Sequence, residues 1–250
     1  MYKKILWLLV WIAPLSHAQE RSLRLGNDFG VLHFNSLEEQ VNANRYKGGS
    51  FSSFNPAVYI LKDKNSWFIR FESKRQTLKR ANDQFNSIFT IDLTHYMFDI
   101  EYYRKIISLS PRASFHLGIG QNGHFNFQEL IESQFGFNPS RSVDMAAVNL
   151  SINPMFRWDW KKSKLYVRGS LSFFNYGARL NEDTMGDDLK FFAASLDQYL
   201  DFQFTASWFL ALSKRWDIKP EYRLRYYAFE KNGQVKFLKQ SWFLGIYYKI

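Results

Sequence analysis

The sequence contains no cysteine, and beyond Leu15 it has no long apolar run. Without cysteine the chain has no disulfide, no thiolate nucleophile and no site for an N-terminal lipid anchor. Without a run of roughly 20 apolar residues it has no candidate transmembrane helix. Histidine is also scarce, with 5 among 250 residues, so few groups are available for general acid–base catalysis.

The first 18 residues are typical of a secretory signal peptide. Two lysines come first, an apolar stretch follows from Ile5 to Leu15, and the small residue Ala18 precedes Gln19. The apolar stretch is much shorter than the roughly 20 residues with which a helix crosses a bilayer. We therefore predict a signal peptide over 1–18, cleaved near Ala18, and one exported domain over 19–250.

Composition indicates a membrane protein that has no membrane helix. Aromatic residues make up 19% of the chain, yet the mean hydropathy is −0.34. Apolar residues placed at every second position escape a hydropathy average, as they do in transmembrane β-barrels. The net charge of +10, which becomes +8 once the two signal-peptide lysines are removed, is dispersed along the sequence. A basic chain suits anionic lipid or lipopolysaccharide, and export argues against a nucleic-acid partner.

Alternation of apolar and polar residues recurs along the mature sequence and predicts β-strands. In the stretch 200–212, apolar residues from Leu200 to Leu212 fill every second position, and Asp201, Gln203 and Thr205 lie between them. Long apolar faces opposite charged ones favour a membrane barrel over a soluble sandwich. The predicted strands cover 22–34, 51–61, 66–74, 88–106, 112–126, 145–160, 164–177, 198–213, 217–230 and 236–250.

Short turns and longer polar connections alternate between these strands. Short turns are predicted at 62–65, 108–112, 160–164 and 213–217, and longer connections near 35–50, 75–87, 127–144, 178–196 and 231–235. This alternation is typical of short periplasmic turns and longer extracellular loops in outer-membrane barrels. It gives ten antiparallel strands with both termini in the periplasm. Because 22–34 alternates poorly, eight and twelve strands are alternatives.

Strand length and tryptophan placement support a bilayer-spanning wall. Several predicted strands exceed the roughly 9–11 residues that cross a bilayer, so we expect them to protrude on the side of the longer connections. Trp67, Trp158, Trp160 and Trp216 lie beside the predicted short turns. We predict that they form an aromatic girdle at the membrane interface.

The final ten residues, SWFLGIYYKI, also alternate, with Trp242, Leu244, Ile246 and Tyr248 on one face. This segment resembles the C-terminal signal that the assembly machinery of bacterial outer membranes recognises, although Ile250 stands where that family usually has phenylalanine. With the signal peptide and the ten alternating segments, the chain is similar to small outer-membrane β-barrel proteins of Bacteroidota, which are Gram-negative bacteria. The resemblance implies insertion by that machinery and contact with outer-membrane lipid and lipopolysaccharide.

Three inward-facing residues are candidates for catalysis. If 88–106 and 112–126 pair as a hairpin, His95 lies roughly opposite His124, and Asp99 shares their inward face. A carboxylate that orients an imidazole is the arrangement of a general base. Two histidines with a carboxylate could also ligate a metal ion.

Filling of a narrow lumen is the competing interpretation of the inward polar residues. A barrel of ten strands is narrow, and buried charges must pair because an unpaired one is costly. The predicted pairing set is Glu221, Arg223, Arg225, Asp201, Arg168, Arg157 and Asp159. We therefore predict no cofactor and no metal, and a non-enzymatic structural or accessory protein that binds a partner in an outer-membrane assembly. A surface hydrolase acting on lipid or peptide, and a narrow channel, are the alternatives.

Overall fold

The computed structural model describes residues 22–38, 42–80, 89–132, 142–181, 188–196, 198–229 and 235–250, so the predicted signal peptide lies outside the described residues. No helix in these ranges is long and apolar enough to cross a membrane. The strands are β1 (Ser22–Glu38), β2 (Asn42–Ser52), β3 (Pro56–Leu61), β4 (Asn65–Arg80), β5 (Phe89–Ser108), β6 (Ala113–Glu132), β7 (Ser142–Trp160), β8 (Ser163–Asn181), β9 (Asp188–Ala194), β10 (Tyr199–Ala211), β11 (Trp216–Phe229) and β12 (Val235–Lys249).

These strands form one closed antiparallel ring with ten wall positions. β3 pairs with the first half of β1 and β2 with its second half, so β2 and β3 are two parts of one wall strand. β9 and β10 share a wall position in the same way along β8. β12 pairs with β1 from Arg24↔Lys249 to Glu38↔Val235 and closes the ring. The prediction of ten strands that include 22–34 is confirmed.

One end of the barrel carries the four turns that were predicted to be short, and we call it the short-turn end. The turns are 62–64, 109–112, 161–162 and 212–215, close to those predicted. The four tryptophans predicted for the girdle lie here on the outer face, between 39% and 46% exposed. Two of them contact tyrosines on neighbouring strands, Trp67 with Tyr102 and Trp216 with Tyr248.

At the opposite end four of the five predicted long connections were too long, because the strands continue into them, whereas 231–235 was placed almost correctly. β1 runs to Glu38 and β2 begins at Asn42, so most of the predicted connection 35–50 is strand. β4 likewise continues to Arg80. Strand hydrogen bonding does not require an apolar face once a strand has left the bilayer, so charged segments such as ESKRQTLKR extend the wall.

The two faces of the wall have inverted polarity. Along β11, inward residues from Asp217 to Phe229 are buried, and the residues between them face outward. Large apolar side chains such as Ile119, Phe156 and Trp208 are exposed on the outer face, whereas buried positions hold many charged residues. An apolar exterior around a polar interior is the arrangement of a transmembrane β-barrel.

Two glycines make the closing pair of strands possible. Gly26 lies opposite Tyr247, and Gly30 lies opposite Phe243. A Cβ atom at Gly30 would lie 2.1 Å from the backbone oxygen of Trp242 and 2.5 Å from a ring carbon of Phe243. The aromatic ring therefore occupies the space that a side chain would need, as in aromatic rescue of strand glycines.

Candidate functional site: a filled lumen

Side chains fill the lumen in three layers between the two ends. Along β5, Tyr103 belongs to the layer nearest the short-turn end, Asp99 and Glu101 to the middle layer, and Leu93 to the third. We call these the lower aromatic layer, the charged belt and the upper aromatic layer. The lower layer includes Tyr59, Phe68, Tyr103, Tyr166, Phe209 and Tyr247, and the upper one includes Leu32, Phe34, Leu93, Tyr199, Tyr227, Phe229 and Phe237.

The charged belt holds six cations and six anions, each at most 5% exposed. Their formal charges cancel, which matters because an isolated charge in a low-dielectric interior is very costly. The cations are Arg70, Arg168, Lys219, Arg223, Arg225 and Lys239, and the anions are Asp28, Glu72, Asp99, Glu101, Asp201 and Glu221.

Glu221 is the hub of the belt. Its Oε2 lies 2.8 Å from Nζ of Lys219 and 3.8 Å from a guanidinium nitrogen of Arg168. Its Oε1 accepts a hydrogen bond from Nε of Arg223 and lies 3.7 Å from a guanidinium nitrogen of Arg70. One carboxylate on β11 therefore joins cations from three wall strands.

Asp28 connects the hub to the closing strands. Its Oδ2 lies 2.9 Å from Lys219 and 2.9 Å from Arg223, and its Oδ1 accepts a hydrogen bond from the Tyr247 hydroxyl at 2.7 Å. Glu72 extends the network at 2.6 Å from Nζ of Lys239 and 3.4 Å from Arg223. Each of these carboxylates has more than one hydrogen-bond or ion-pair partner, so its negative charge does not depend on a single cation for compensation.

The predicted pairing set is largely confirmed, in two places. Glu221 pairs with Arg223 in the belt, and Asp201 accepts a hydrogen bond from Nε of Arg225 at 3.0 Å. Arg157 pairs with Asp159 at 2.8 Å, but at the short-turn end. Arg168 finds its main partner in Glu101, at 2.6 Å. Sequence reasoning missed Asp28, Arg70, Glu72, Lys219 and Lys239, although their inward phase in alternating strands was a usable signal.

The structure places the candidate catalytic residues in two different layers. His95 is hydrogen-bonded to Asn126 and stacks on Phe237 at 5.4 Å. Its register partner is Asn126, whereas His124 pairs with Met97, so the histidines are offset by two positions. All these side chains are at most 5% exposed, so any substrate would have to enter a packed layer.

His95 and His124 both lie in the upper aromatic layer, and Asp99 does not. The His124 ring stacks on Tyr227 at 4.6 Å, and one ring nitrogen lies 3.3 Å from the Tyr199 hydroxyl. Asp99 lies in the belt and accepts a hydrogen bond from Arg70 at 2.9 Å. The catalytic role of His95, Asp99 and His124 stays a prediction. Within the described ranges no three His, Asp or Glu side chains are grouped closely enough to hold a metal ion.

A neutral polar cluster faces the belt from β6, β7, β8 and β10. Asn122 donates hydrogen bonds to the hydroxyls of Ser151 and Ser170, at 3.2 and 3.1 Å. The Oδ1 of Asn122, both amide atoms of Asn153 and the Oε1 of Gln203 are buried with no hydrogen-bond partner among the described residues. Buried amides of this kind normally bind water.

No protein-family model matches the sequence, and no curated protein matches it. The structure is similar to the translocator domain of the autotransporter NalP from Neisseria meningitidis, with 10% sequence identity, 99% of this chain and 95% of that chain covered, and a TM-score of 0.48. For Neisserial surface protein A the identity is 11%, the coverage 93% and 100%, and the TM-score 0.35. The toluene transporter TodX of P. putida has 6% sequence identity, with 93% of this chain and 90% of that chain covered, and a TM-score of 0.34. All three are outer-membrane β-barrels, and at these identities the chain is assigned to none of their families.

Proposed function

We propose that the chain is an integral outer-membrane β-barrel with a non-enzymatic structural or accessory role, which binds a partner in an outer-membrane assembly. The observation that carries this proposal is the filled lumen. Twelve buried charges that cancel, held between two aromatic layers, leave the wall surrounding side chains rather than a wide passage. A barrel of this kind acts through its ends and its outer surface.

The location follows from the wall and from the sequence. Closed β-barrels with an apolar exterior and an aromatic girdle are the spanning structures of bacterial outer membranes. The predicted signal peptide over 1–18 supplies the export that such a location requires. The resemblance of the last strand to an assembly signal supports insertion by the assembly machinery of a bacterial outer membrane, and the likeness of the whole chain to small barrels of Bacteroidota favours such a source. The short-turn end then faces the periplasm.

A gel and a fractionation test the barrel and its location. A closed barrel resists detergent until it is boiled, so we expect the unheated protein to migrate differently from the boiled protein. We also expect it to fractionate with the outer membrane. Identical migration of the two samples, or recovery in the soluble fraction, would contradict the proposal.

Purification from native outer membranes tests the accessory role. A tagged chain is extracted in mild detergent, and mass spectrometry identifies what stays bound, with an unrelated barrel carrying the same tag as control. A stoichiometric partner absent from the control supports the proposal. Recovery as a folded monomer without a partner contradicts it.

Conductance measurements separate a closed scaffold from the narrow-channel alternative. We expect folded protein in a planar bilayer to remain silent, because the aromatic layers block the lumen on both sides of the belt. Reproducible unitary currents from protein that passes the gel test would favour the channel. The Oδ1 of Asn122 and the amide of Asn153, which have no partner among the described residues, would then mark its course.

A further inference from the structure

The short-turn end collects nearly all the excess positive charge of the protein. It holds 13 basic residues and 3 acidic ones in the turns and the strand ends beside them. Setting these and the two signal-peptide lysines apart leaves 18 of the 33 basic residues against 20 of the 23 acidic ones. The basic residues are Arg24, Lys62, Lys64, Arg104, Lys105, Arg112, Arg157, Lys161, Lys162, Lys164, Lys214, Arg215 and Lys249, and the acidic ones are Asp63, Asp159 and Asp217.

The acidic residues of this end are already engaged. Asp217 lies 2.5 Å from Nε of Arg24 and 2.9 Å from Nζ of Lys249. Asp63 pairs with Lys105 at 3.4 Å. Asp159 is held by Arg157, as described above. Lys164 also has an interaction of its own. In the described part of the chain, the other eight cations have no carboxylate within ion-pair distance: Lys62, Lys64, Arg104, Arg112, Lys161, Lys162, Lys214 and Arg215.

These unpaired cations lie at the depth of the girdle. Lys161 and Lys162 follow Trp160 directly, and Lys214 and Arg215 directly precede Trp216. Two residues of extended chain span at most about 7 Å, so these four cations lie within that distance of the girdle backbone. Tryptophans of a girdle occupy the headgroup region, and so do the cations beside them.

Their distribution favours lipid over a docked protein. The cations occur in all four turns and therefore surround the barrel, as headgroups do, whereas a protein partner docks on one face. Exposed aliphatic side chains lie among them, with Ile106 59%, Leu109 56% and Leu212 65% exposed. Aliphatic, tryptophan and basic side chains together are the composition of a membrane interface.

We propose that the short-turn end binds anionic glycerophospholipid headgroups of the periplasmic leaflet, with Lys and Arg side chains contacting the phosphate. Ammonium and guanidinium groups both form charge-assisted hydrogen bonds to phosphate. The proposal rests on the proposed outer-membrane location, with this end toward the periplasm. A phosphate whose charge is not cancelled within its own headgroup is then preferred over a zwitterionic headgroup.

Tryptophan fluorescence can measure that preference, because the girdle lies beside the cations. The folded full-length mature chain is placed in vesicles that contain brominated phosphatidylglycerol, brominated phosphatidylcholine or mixtures of the two, and bromine quenches tryptophans in contact with that lipid. One cation near an anionic surface favours binding roughly fivefold. We expect a relative binding constant of about that size for the anionic lipid, falling toward one at about 1 M salt, where screening is nearly complete.

A matched pair of variants locates the site. The test variant carries Lys161→Gln, Lys162→Gln and Lys214→Gln, and the control carries Lys47→Gln, Lys79→Gln and Lys236→Gln near the opposite end of the barrel. Each loses three positive charges. We expect the test variant to lose the preference and the control to keep it.

Several outcomes would overturn the proposal: no preference in the native protein, a preference retained by the test variant, or an equal loss in both variants. The native protein could show no lipid preference and yet bind an acidic protein. If the test variant no longer binds that protein, this end is a protein-docking surface instead. Failure of the proposed location is recognised separately, by the gel and fractionation tests.

Discussion

Replacing the hub carboxylate, Glu221→Gln, should strongly destabilise the barrel. Glu221 lies within ion-pair distance of Lys219, Arg223, Arg70 and Arg168. The amide keeps the shape and removes the charge, so the belt holds six cations and five anions. Removing one partner of a buried ion pair typically costs about 3–5 kcal/mol, because the other charge remains buried without compensation.

A second substitution separates charge balance from shape. Glu221→Gln combined with Lys219→Met restores equal numbers of buried cations and anions. Replacing a whole buried pair with apolar groups is often neutral. We expect the double variant to be at least about 2 kcal/mol more stable than the single variant.

Unfolding by guanidinium in detergent or lipid vesicles measures these differences, with tryptophan fluorescence as the signal and linear extrapolation to water. Asp63→Asn is the matched control, because Asp63 pairs with Lys105 at 3.4 Å and has a largely exposed side chain. Solvent screens that pair, so its loss should cost no more than about 1 kcal/mol. If Glu221→Gln also costs less than about 1 kcal/mol, or the double variant is no more stable, the belt does not work by charge compensation.

Other predictions concern packing, chemistry and the wall. Gly30→Ala should cost about 1–3 kcal/mol of stability by overpacking in the same unfolding assay. Gly169→Ala, whose new Cβ would lie 3.4 Å from its nearest neighbour, should be almost neutral. Equal costs would refute the close approach of Gly30 to Trp242 and Phe243. His124→Gln should leave hydrolase activity and the lipid A profile unchanged, and a change in either that leaves the fold intact would support the catalytic hypothesis instead. Among the described residues the ladder between β2 and β4 contains only the pairs Tyr46↔Arg80 and Lys47↔Lys79, so amides within 48–55 and 71–78 that do not bond β1 or β5 should exchange hydrogen faster than those of β5 and β6, and equal protection would contradict this.

The wall was predictable because its signal is local. A strand that faces lipid on one side and a polar lumen on the other alternates with period two, and 217–229 shows this residue by residue. The polar extensions at the opposite end lack an apolar face. Their sequence therefore predicts loops, as it did for 35–50, and they are recognised as strands only from their pairing with a neighbouring strand.

The arrangement of the site was less predictable, because its contacts are distant in sequence. Asp28 reaches Lys219 across 191 positions, and alternation gives the face of each residue but not its partner. The offset of His95 from His124 depends on hairpin register, which the turn and the irregularity between Lys105 and Ile107 determine. The basic end is equally hidden, since its turns are far apart in the sequence and meet only when the strands stand side by side.

The closing pair of strands has a consequence for the time course of assembly. Asp28 comes from β1, at the start of the described chain, and its cation partners Lys219 and Arg223 come from β11, near its end. Until β1 pairs with β12, Asp28 is separated from Lys219 and Arg223, and the wall is open. Neutralisation of these two cations by Asp28 therefore coincides with closure of the wall.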